Sequence, residues 1–297
     1  MSQSKFTKKL SGKTILITGA SSGIGKATAI ACAKAGMRVA LAARGIEALE
    51  ATAKQINESI TPQRVAGNTS EKKSGASGGG GGDRVIVIPC DVCDDSSVAT
   101  LFEQTLEAFG RLDVMYANAG YGIYGSIEQT TDSQIRDMFE TNFYGTVRCV
   151  KEALPIMKKQ GSGHILICSS ACSEISLPMY GYYAATKAAQ DSLAGALRAE
   201  LCETNIKVSS VHPIGTYTEF FNQVAVKAGM EDVGLNTPDT LMQQPEHVAK
   251  QILKCLVRPC PEVWPHLPTR IGVAMATAFP KLGAMALRKM FKRKASE

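Results

Sequence analysis

Short apolar segments alternate with longer amphipathic segments along most of this chain. The segment KTILIT (13–18) is typical of a buried strand, and GKATAIACAKAG (25–36) has the periodicity of a helix. The same pair recurs as MRVALAA (37–43) and IEALEATAKQINESI (46–60). Further buried strands, each followed by helical periodicity, are predicted at RVIVIPCDV, LDVMYANAG, GHILICSS and IKVSSVHP. Because parallel strands need a crossover that covers one face of the sheet, this order predicts an α/β fold with a doubly wound parallel sheet.

Two segments depart from this alternation. Residues 61–83 are polar and glycine-rich and cannot contribute to a core, so we interpret them as a flexible surface insertion between a helix and a strand. The last strand is expected near PEVWP (261–265). We therefore place a single domain over residues 1–262, followed by an apolar and then basic C-terminal helical extension over residues 263–297.

The C-terminal extension allows more than one interpretation. Residues 271–287 are nearly all apolar or small, but Pro280 and Lys281 interrupt them, and the segment is too short and broken for a transmembrane helix. It can dock on its own domain, dock on a neighbouring subunit, or lie in a membrane interface. The basic residues near the C-terminus then serve either as the solvated end of a helix or as a surface for anionic lipid: Lys281, Arg288, Lys289, Lys292, Arg293 and Lys294.

Composition excludes several classes of protein. Of the 297 residues, 44% are apolar and 20% charged, as in ordinary soluble globular proteins. The start of the chain has no apolar secretory segment and the nine cysteines lie in core-like stretches, so we expect reduced thiols and a cytoplasmic protein, with membrane association through the extension as an alternative. Cys90 and Cys93 form a single CxxC without histidines nearby, and no metal is predicted. The net charge of +6 gathers in a tail without interleaved aromatic residues, so we expect no nucleic-acid partner.

A glycine-rich turn joins the first predicted strand to the first predicted helix. Glycines at this junction let the backbone approach a pyrophosphate, and the helix N-terminus offers N–H groups and a partial positive charge. Strand, turn and helix are all present, so the motif predicts a dinucleotide site. The residues assigned to it are Gly19, Ser21, Ser22, Gly23, Ile24 and Gly25.

The end of the second predicted strand bears on the choice of cofactor. NAD-binding sites usually place an acidic residue here to hold the ribose 2′-hydroxyl, but this chain has Ala42, Ala43 and Arg44. A guanidinium suits a 2′-phosphate, so we predict NADP(H), the alternative being that Arg44 is an ordinary exposed arginine.

Three tyrosines lie close together in LPMYGYYAATKAAQ. If YYAATKAAQDSLAGALRAEL is a helix, Tyr183 and Lys187 stand one turn apart on the same face, whereas Tyr182 pairs with Thr186 and Tyr180 lies before the helix. An ammonium one turn away is expected to lower the pKa of Tyr183 toward neutral pH. Tyr183 is therefore the predicted proton donor, and the other two tyrosines are expected to line a pocket or pack.

These motifs together resemble the classical short-chain dehydrogenase/reductase family. The likeness covers roughly residues 12–220 and rests on TGASSGIG, on NAG at 118–120 and on a serine before YAATK. It implies a single Rossmann-like domain, hydride transfer to or from a nicotinamide, and a Ser-Tyr-Lys-Asn catalytic group. It also implies a homodimer or homotetramer.

The resemblance assigns the remaining site residues. Its serine, thirteen residues before the tyrosine, is Ser170 with Ser169 as the less favoured neighbour, and its asparagine is Asn142. It implies that Ser170 polarises the substrate carbonyl, Lys187 lowers the tyrosine pKa and holds the nicotinamide ribose, and Asn142 fixes a water behind Lys187. The cofactor neighbours that it implies are Asp91, Val92, Asn118, Ala119, Gly120, Pro213 and Thr218, in addition to Tyr183 and Lys187. Ile214 stands where members often have glycine after proline, which departs from the pattern.

The expected activity is NADP(H)-dependent interconversion of a carbonyl and an alcohol on a small molecule. Apolar residues after the sixth strand favour a hydrophobic, lipid-like substrate, or else simply pack as amphipathic helices do: Phe220, Phe221, Val224, Val226, Met230 and Leu235. The alternative function is a catalytically silent NADP sensor or scaffold with the same fold. A sensor could lose its tyrosine or lysine, and this chain retains both.

Overall fold

The computed structural model describes residues 3–60, 84–175, 177–220, 224, 242–285 and 288. Within these residues the strands are β1 (Thr14–Thr18), β2 (Arg38–Ala43), β3 (Val85–Pro89), β4 (Val114–Ala117), β5 (Gly163–Cys168), β6 (Ile206–Val211) and β7 (Glu262–Val263). The helices are α1 (Gln3–Leu10), α2 (Gly23–Lys34), α3 (Ile46–Ile60), α4 (Asp95–Phe109), α5 (Asp132–Phe139), α6 (Gly145–Gln160), α7 (Gly181–Glu200), α8 (Pro245–Val257) and α9 (Leu267–Ala278). A π-helical turn, Glu140–Tyr144, joins α5 to α6, and a 3₁₀ turn, Ala171–Ser173, follows β5.

The strands form one parallel sheet in the order β3-β2-β1-β4-β5-β6-β7. Successive residues of a strand point to opposite faces, so Ile15 and Ile17 belong to one core, with α1, α2, α3 and α8, while Leu16 belongs to the other, with α4, α6 and α7. Burial of each such side chain stabilises the fold by about 1.5–3 kcal/mol. The predicted Rossmann-like, doubly wound sheet in a single domain is confirmed.

The sheet order places a crevice at the carboxyl ends of β1 and β4. The chain proceeds outward from β1 to β2 and β3 and then returns to β4 on the other side of β1. Loops leaving β1 and β4 therefore diverge to opposite faces, and ligands of open α/β sheets bind at such a switch point. The predicted glycine turn and the NAG segment both follow these strands.

The start of the C-terminal extension forms α9. Its apolar face points to solvent: Leu267, Ile271 and Met275 are 54–61% exposed, whereas Val273 on the opposite side is buried. The helix contacts the 3₁₀ turn of the domain while its apolar face stays exposed, so what covers that face stays a prediction. Among the described residues, no helix has both the length and the apolar character to cross a membrane. The glycine-rich segment 61–83 and the basic residues 289–294 lie outside the described residues.

His164 on β5 makes stability depend on pH. Its Nε2 lies 2.8 Å from Ser209 Oγ, and burial lowers the pKa of His164 from 6.5 to about 4, with Lys13 and Lys207 acting in the same direction. Between these pH values the unfolded chain binds a proton that the folded chain does not, so the contribution is fully present above pH 6.5 and is lost as pH falls.

We expect the titration of His164 to lower the free energy of unfolding by about 3 kcal/mol between pH 7 and pH 4. Urea unfolding at several pH values should show a shallower pH dependence for His164→Gln, which keeps a donor near Ser209 but does not titrate. Equal slopes for the two proteins would contradict this origin of the acid sensitivity.

Candidate active site

The glycine turn brings β1, α2 and β4 into close contact. Gly19 and Gly23 have φ values of +66° and +53°, which side chains rarely adopt. Gly25 faces the turn from the first turn of α2, and a Cβ there would lie 2.2 Å from the Gly19 carbonyl oxygen and 2.6 Å from Asn118 Nδ2. The turn therefore leaves its backbone open at the N-terminus of α2, as a pyrophosphate site requires.

Asn118 locks the end of β4 against this turn. Its Nδ2 donates to the carbonyl oxygens of Thr18 (3.0 Å) and Gly19 (3.1 Å), and the hydroxyl of Thr18 accepts from the backbone N–H groups of Asn118 and Ala119. The residues at the switch point are thus held as one unit.

Gly25→Ala should damage this unit because the added methyl group meets backbone that cannot move away. We expect a loss of about 2 kcal/mol or more in stability, and at least tenfold weaker binding of NADPH. Gly272→Ala on α9 is the matched control: its Cβ meets nothing within 4 Å, so we expect stabilisation by about 1 kcal/mol. Thermal unfolding measures the stability of both variants, and nicotinamide fluorescence measures their NADPH binding. Unchanged NADPH binding in Gly25→Ala would contradict the role of the turn.

A cavity of about 620 Å³ opens along the carboxyl ends of the strands. Most predicted site residues line it: Gly19, Ser21, Ser22, Gly23, Ile24, Arg44, Asp91, Val92, Asn118, Ala119, Gly120, Ser170, Tyr183, Lys187, Pro213 and Thr218. Gly25 and Asn142 are not part of the lining. The structure adds Tyr121, Cys172, Leu177 and Thr269. Position in a loop after a strand could have indicated the first three, but only folding brings Thr269 of the extension to the cavity.

Tyr183 and Lys187 lie in the interior end of the cavity, one turn apart on α7 as predicted. Lys187 Nζ is 5.7 Å from the centre of the Tyr183 ring and donates to the carbonyl oxygen of Cys168 at 2.7 Å. Burial raises the pKa of Tyr183 well above its usual value, with Cys172 and Cys168 acting in the same direction, and burial lowers the pKa of Lys187. The expected lowering of the Tyr183 pKa by Lys187 is not seen in this structure, where burial sets the direction of the shift.

The structure separates the two candidate serines. Ser169 is buried and its hydroxyl donates to the backbone carbonyl of Lys187 (3.2 Å). The Ser170 hydroxyl accepts from Cys172 N at 3.1 Å, and its position near Tyr183 partly opposes the rise in the pKa of that tyrosine. Ser170 therefore stands beside the phenol, while Ser169 holds α7 to the sheet.

Asn142 lies fully buried in the π-helical turn. Its side chain accepts from Tyr121 N (3.0 Å) and donates to Tyr121 O and to Thr186 Oγ1 (both 2.9 Å). Its carbonyl oxygen accepts from Thr146 Oγ1 and Gln190 Nε2, both at 2.7 Å. Both the side chain and the main-chain carbonyl of Asn142 thus have protein partners. In this structure it positions the loop after β4 against α7.

The other two tyrosines differ from each other. Tyr180 is buried in the cavity wall, edge-on to Tyr124 with ring centres 5.3 Å apart. Tyr182 donates its hydroxyl to the carbonyl oxygen of Ile127 at 3.2 Å and is not part of the cavity lining.

The remaining predicted cofactor neighbours surround the open end of the cavity. Arg44 is exposed directly after β2. Thr218 packs opposite Gly23, with its Cβ 3.1 Å from where a Cβ on that glycine would lie. The turn at Ile214 is held by a hydrogen bond from Thr216 Oγ1 to its carbonyl oxygen (2.8 Å), so the absence of glycine does not open it.

Asp91 and the CxxC pair lie at the adjacent edge. Asp91 accepts from Cys93 N at 3.0 Å through its carboxylate. Cys90 is buried, and Cys93 Sγ lies 3.3 Å from Thr141 Oγ1. In the described part of the chain, no three histidine, cysteine or acidic side chains are grouped as metal ligands would be.

Comparison with known proteins identifies the family. Residues 13–74 and 66–228 match the model of the short chain dehydrogenases. The chain belongs to the classical short-chain dehydrogenase/reductase family. It is 30% identical over 264 residues to retinol dehydrogenase 8 of Bos taurus, covering 82% of this chain and 78% of that protein.

Solved structures of this family are similar over nearly the whole chain. A short chain dehydrogenase/reductase from Burkholderia phymatum in complex with NAD has a TM-score of 0.75 and 22% identity, covering 93% of this chain and 96% of its own. An alcohol dehydrogenase from Thermococcus sibiricus complexed with 5-hydroxy-NADP has a TM-score of 0.67 and 27% identity, covering 84% and 94%. The chain is thus an oxidoreductase by family, with a fold that binds a nicotinamide cofactor.

Proposed function

We propose that the protein is an NADP(H)-dependent reductase of ketones or aldehydes that also catalyses the reverse oxidation of an alcohol. The supporting observation is the convergence of Ser170, from the end of β5, with Tyr183 and Lys187, from α7, in the interior of one cavity. These three groups can bind a carbonyl oxygen, supply a proton and hold the sugar of a dinucleotide.

The chain's own residues fit the cofactor. The glycine turn at the N-terminus of α2 suits the pyrophosphate. Asp91, Val92, Pro213 and Thr218 also line the cavity; the first two would contact the adenine and the last two the nicotinamide end. The preference for NADP(H) rests on Arg44, whose guanidinium would hold the 2′-phosphate. Related structures hold either cofactor type, so this preference needs its own test.

The reacting groups divide the work between them. The bound cofactor supplies or accepts the hydride at carbon. Ser170 donates a hydrogen bond to the substrate oxygen, and Tyr183 transfers its phenolic proton to that oxygen during reduction. The raised pKa of Tyr183 keeps the phenol protonated, which suits a proton donor. Lys187, buried beside the ring, would bind the nicotinamide ribose hydroxyls.

The substrate that we propose is apolar. The cavity wall beyond Tyr183 contains Ile175, Leu177, Tyr180 and Phe220, and Val224 packs behind it. Four of the apolar residues after the sixth strand, at positions 221, 226, 230 and 235, lie outside the described residues. A relative named for retinol supports a lipophilic carbonyl.

Turnover of NADPH over a graded series of carbonyls tests the proposal. The series runs from acetone to 2-decanone, from propanal to decanal, and includes all-trans-retinal, with nicotinamide absorbance as the signal. We expect kcat/KM to increase with apolar length. Preference for the short polar members would contradict the lipid-like substrate, and no turnover with intact NADPH binding would favour the alternative, a silent sensor or scaffold.

We also propose that the chain forms a homodimer or homotetramer. The segments CVKEALPIM of α6 and AAQDSLAGALRAEL of α7 offer small and apolar residues for contact between copies. Light scattering that shows only monomer at assay concentration would remove this proposal. We propose as well that the chain divides at residue 262 into a catalytic domain and a C-terminal extension.

The extension is proposed to contact a membrane surface peripherally. The exposed apolar face of α9 continues beyond it through Phe279, Leu282 and Met285, which are 52–66% exposed. Basic residues follow directly in the sequence, so the segment combines apolar area with positive charge. This combination suits anionic lipid better than a second apolar copy.

Vesicle flotation tests this contact. We expect binding to phosphatidylcholine vesicles that contain phosphatidylserine, and we expect high salt to weaken this binding. Ile271→Glu should weaken it at least tenfold, because inserting a charged side chain from the apolar face costs about 2–3 kcal/mol. Ile127→Glu is the control, since Ile127 is 62% exposed but lies far along the chain from α9. Self-association through α9 without vesicle binding would overturn the membrane proposal.

A further inference from the structure

A buried histidine lies directly beneath the catalytic serine. His212 follows the last residue of β6 and precedes Pro213, and its side chain is 1% exposed. Its ring stacks on Trp264, the only tryptophan of the chain, with ring centres 4.3 Å apart and planes 7° from parallel. The plane of the imidazole is therefore held by the residue that follows β7.

One edge of this ring contacts the peptide group after the serine. His212 Nδ1 lies 3.3 Å from the carbonyl oxygen of Ser170, and Pro213 O accepts from Ala171 N at 3.0 Å. The Ser170–Ala171 peptide is thus held at both of its polar groups by two consecutive residues at the end of β6. Nδ1 also lies 3.5 Å from Ser173 Oγ. Since a carbonyl only accepts, the contact with Ser170 requires a proton on Nδ1.

The opposite edge of the ring faces α7. His212 Nε2 lies 3.0 Å from Ser210 Oγ and 3.5 Å from Asp191 Oδ1. Asp191 follows Lys187 by one helical turn, and its charge acts on Lys187, whose lowered pKa it partly restores. Because a carboxylate only accepts, the contact with Asp191 requires a proton on Nε2 as well as on Nδ1. The doubly protonated ring therefore spans the two elements that carry the proposed catalytic groups, β5 and α7.

We propose that His212 is a positioning residue that fixes the Ser170 hydroxyl relative to Tyr183 on α7. This inference rests on the proposed function, because it assigns His212 a purpose in carbonyl binding by Ser170. A hydrogen-bonded support of this kind matters because a displacement of about 1 Å at a reacting group can cost about 10²-fold in rate.

Loss of His212 should not prevent folding. The Ser170 carbonyl also accepts from Ser173 N (3.0 Å) and Ser173 Oγ (2.7 Å), so it keeps partners in a variant. What changes is the link between this carbonyl and α7, rather than the satisfaction of a buried polar group.

Two variants separate the two edges of the ring. The amide nitrogen of His212→Asn can take the place of Nδ1 and donate to Ser170, whereas that of His212→Gln can take the place of Nε2 and reach Asp191 only. We expect His212→Asn to keep kcat within about threefold and His212→Gln to lower it about 10- to 30-fold, with the KM for NADPH unchanged in both. His164→Gln, the same change at a buried histidine at the other end of β5, should leave kcat unchanged.

The measurements are kcat and KM with the best carbonyl of the series, the melting temperature, and amide hydrogen exchange at Ala171. Wild-type kcat in His212→Gln, or equal loss in both variants together with a lowered melting temperature, would overturn the positioning role. If the wild type reduces no carbonyl, the proposed function fails. Amide hydrogen exchange at Ala171 then tests the positioning role of His212 without any activity. Faster exchange at Ala171 in His212→Gln but not in His212→Asn supports the positioning role of His212, and equal exchange in all three proteins overturns it.

Discussion

Replacing Tyr183 by phenylalanine is expected to lower kcat for carbonyl reduction by about 10²- to 10⁴-fold, the usual contribution of a positioned general acid. The change removes only the hydroxyl. The ring keeps its packing against Phe220 and Tyr180, whose centres lie 5.5 Å and 6.2 Å away, so the fold and the NADPH site should be preserved. Single-turnover absorbance of NADPH measures the chemical step, and nicotinamide fluorescence measures cofactor binding.

Tyr182→Phe is the matched control for this experiment. The same atom is removed from the next residue of α7, but the Tyr182 hydroxyl donates to Ile127 O outside the cavity, so kcat should change less than about threefold. Equal activity of wild type and Tyr183→Phe on every carbonyl would refute the catalytic assignment. Equal loss in both variants would indicate damage to α7 instead of loss of a proton donor.

Replacing Arg44 by leucine is expected to raise the KM for NADPH about 10- to 100-fold and leave that for NADH unchanged. A charge-assisted hydrogen bond to phosphate contributes about 1.5–3 kcal/mol. NADH has no 2′-phosphate and makes no such bond, so the variant removes nothing from its binding. Arg44 is exposed at the end of β2 and its charge extends over the cavity, where it lowers the pKa of Tyr121 against the larger effect of burial. Direct titration of both cofactors gives the answer without a known substrate.

Arg258→Leu is the control for this change, since Arg258 is exposed at the end of α8 and does not line the cavity. It should leave both constants unaltered. If wild type binds NADH as tightly as NADPH, the NADP(H) preference is wrong. If Arg44→Leu weakens both cofactors alike, Arg44 acts on a part that the two share and does not recognise the 2′-phosphate.

Local rules explain why much of the site could be predicted. The pairing of Tyr183 with Lys187 follows from helical spacing, and the glycine turn follows from positions that need positive φ or space without a Cβ. Both depend on a few consecutive residues. The expected direction of the Tyr183 pKa shift rested on one neighbouring charge, whereas the shift in the structure follows mainly from burial, which depends on every element around the ring.

Sequence alone determined the alternation of strands and helices, the crevice that this alternation implies, and the placement of Tyr183 and Lys187 one turn apart on one helix. The period of apolar residues and the spacing along one helix are properties of adjacent residues. Tertiary structure alone decided which serine faces Tyr183, that Thr269 of the extension lines the cavity, and that His212 stacks on Trp264. These depend on contacts between segments far apart in the chain, and so does the exposure of the apolar face of α9. A side chain's direction and burial follow from the packing of the whole fold.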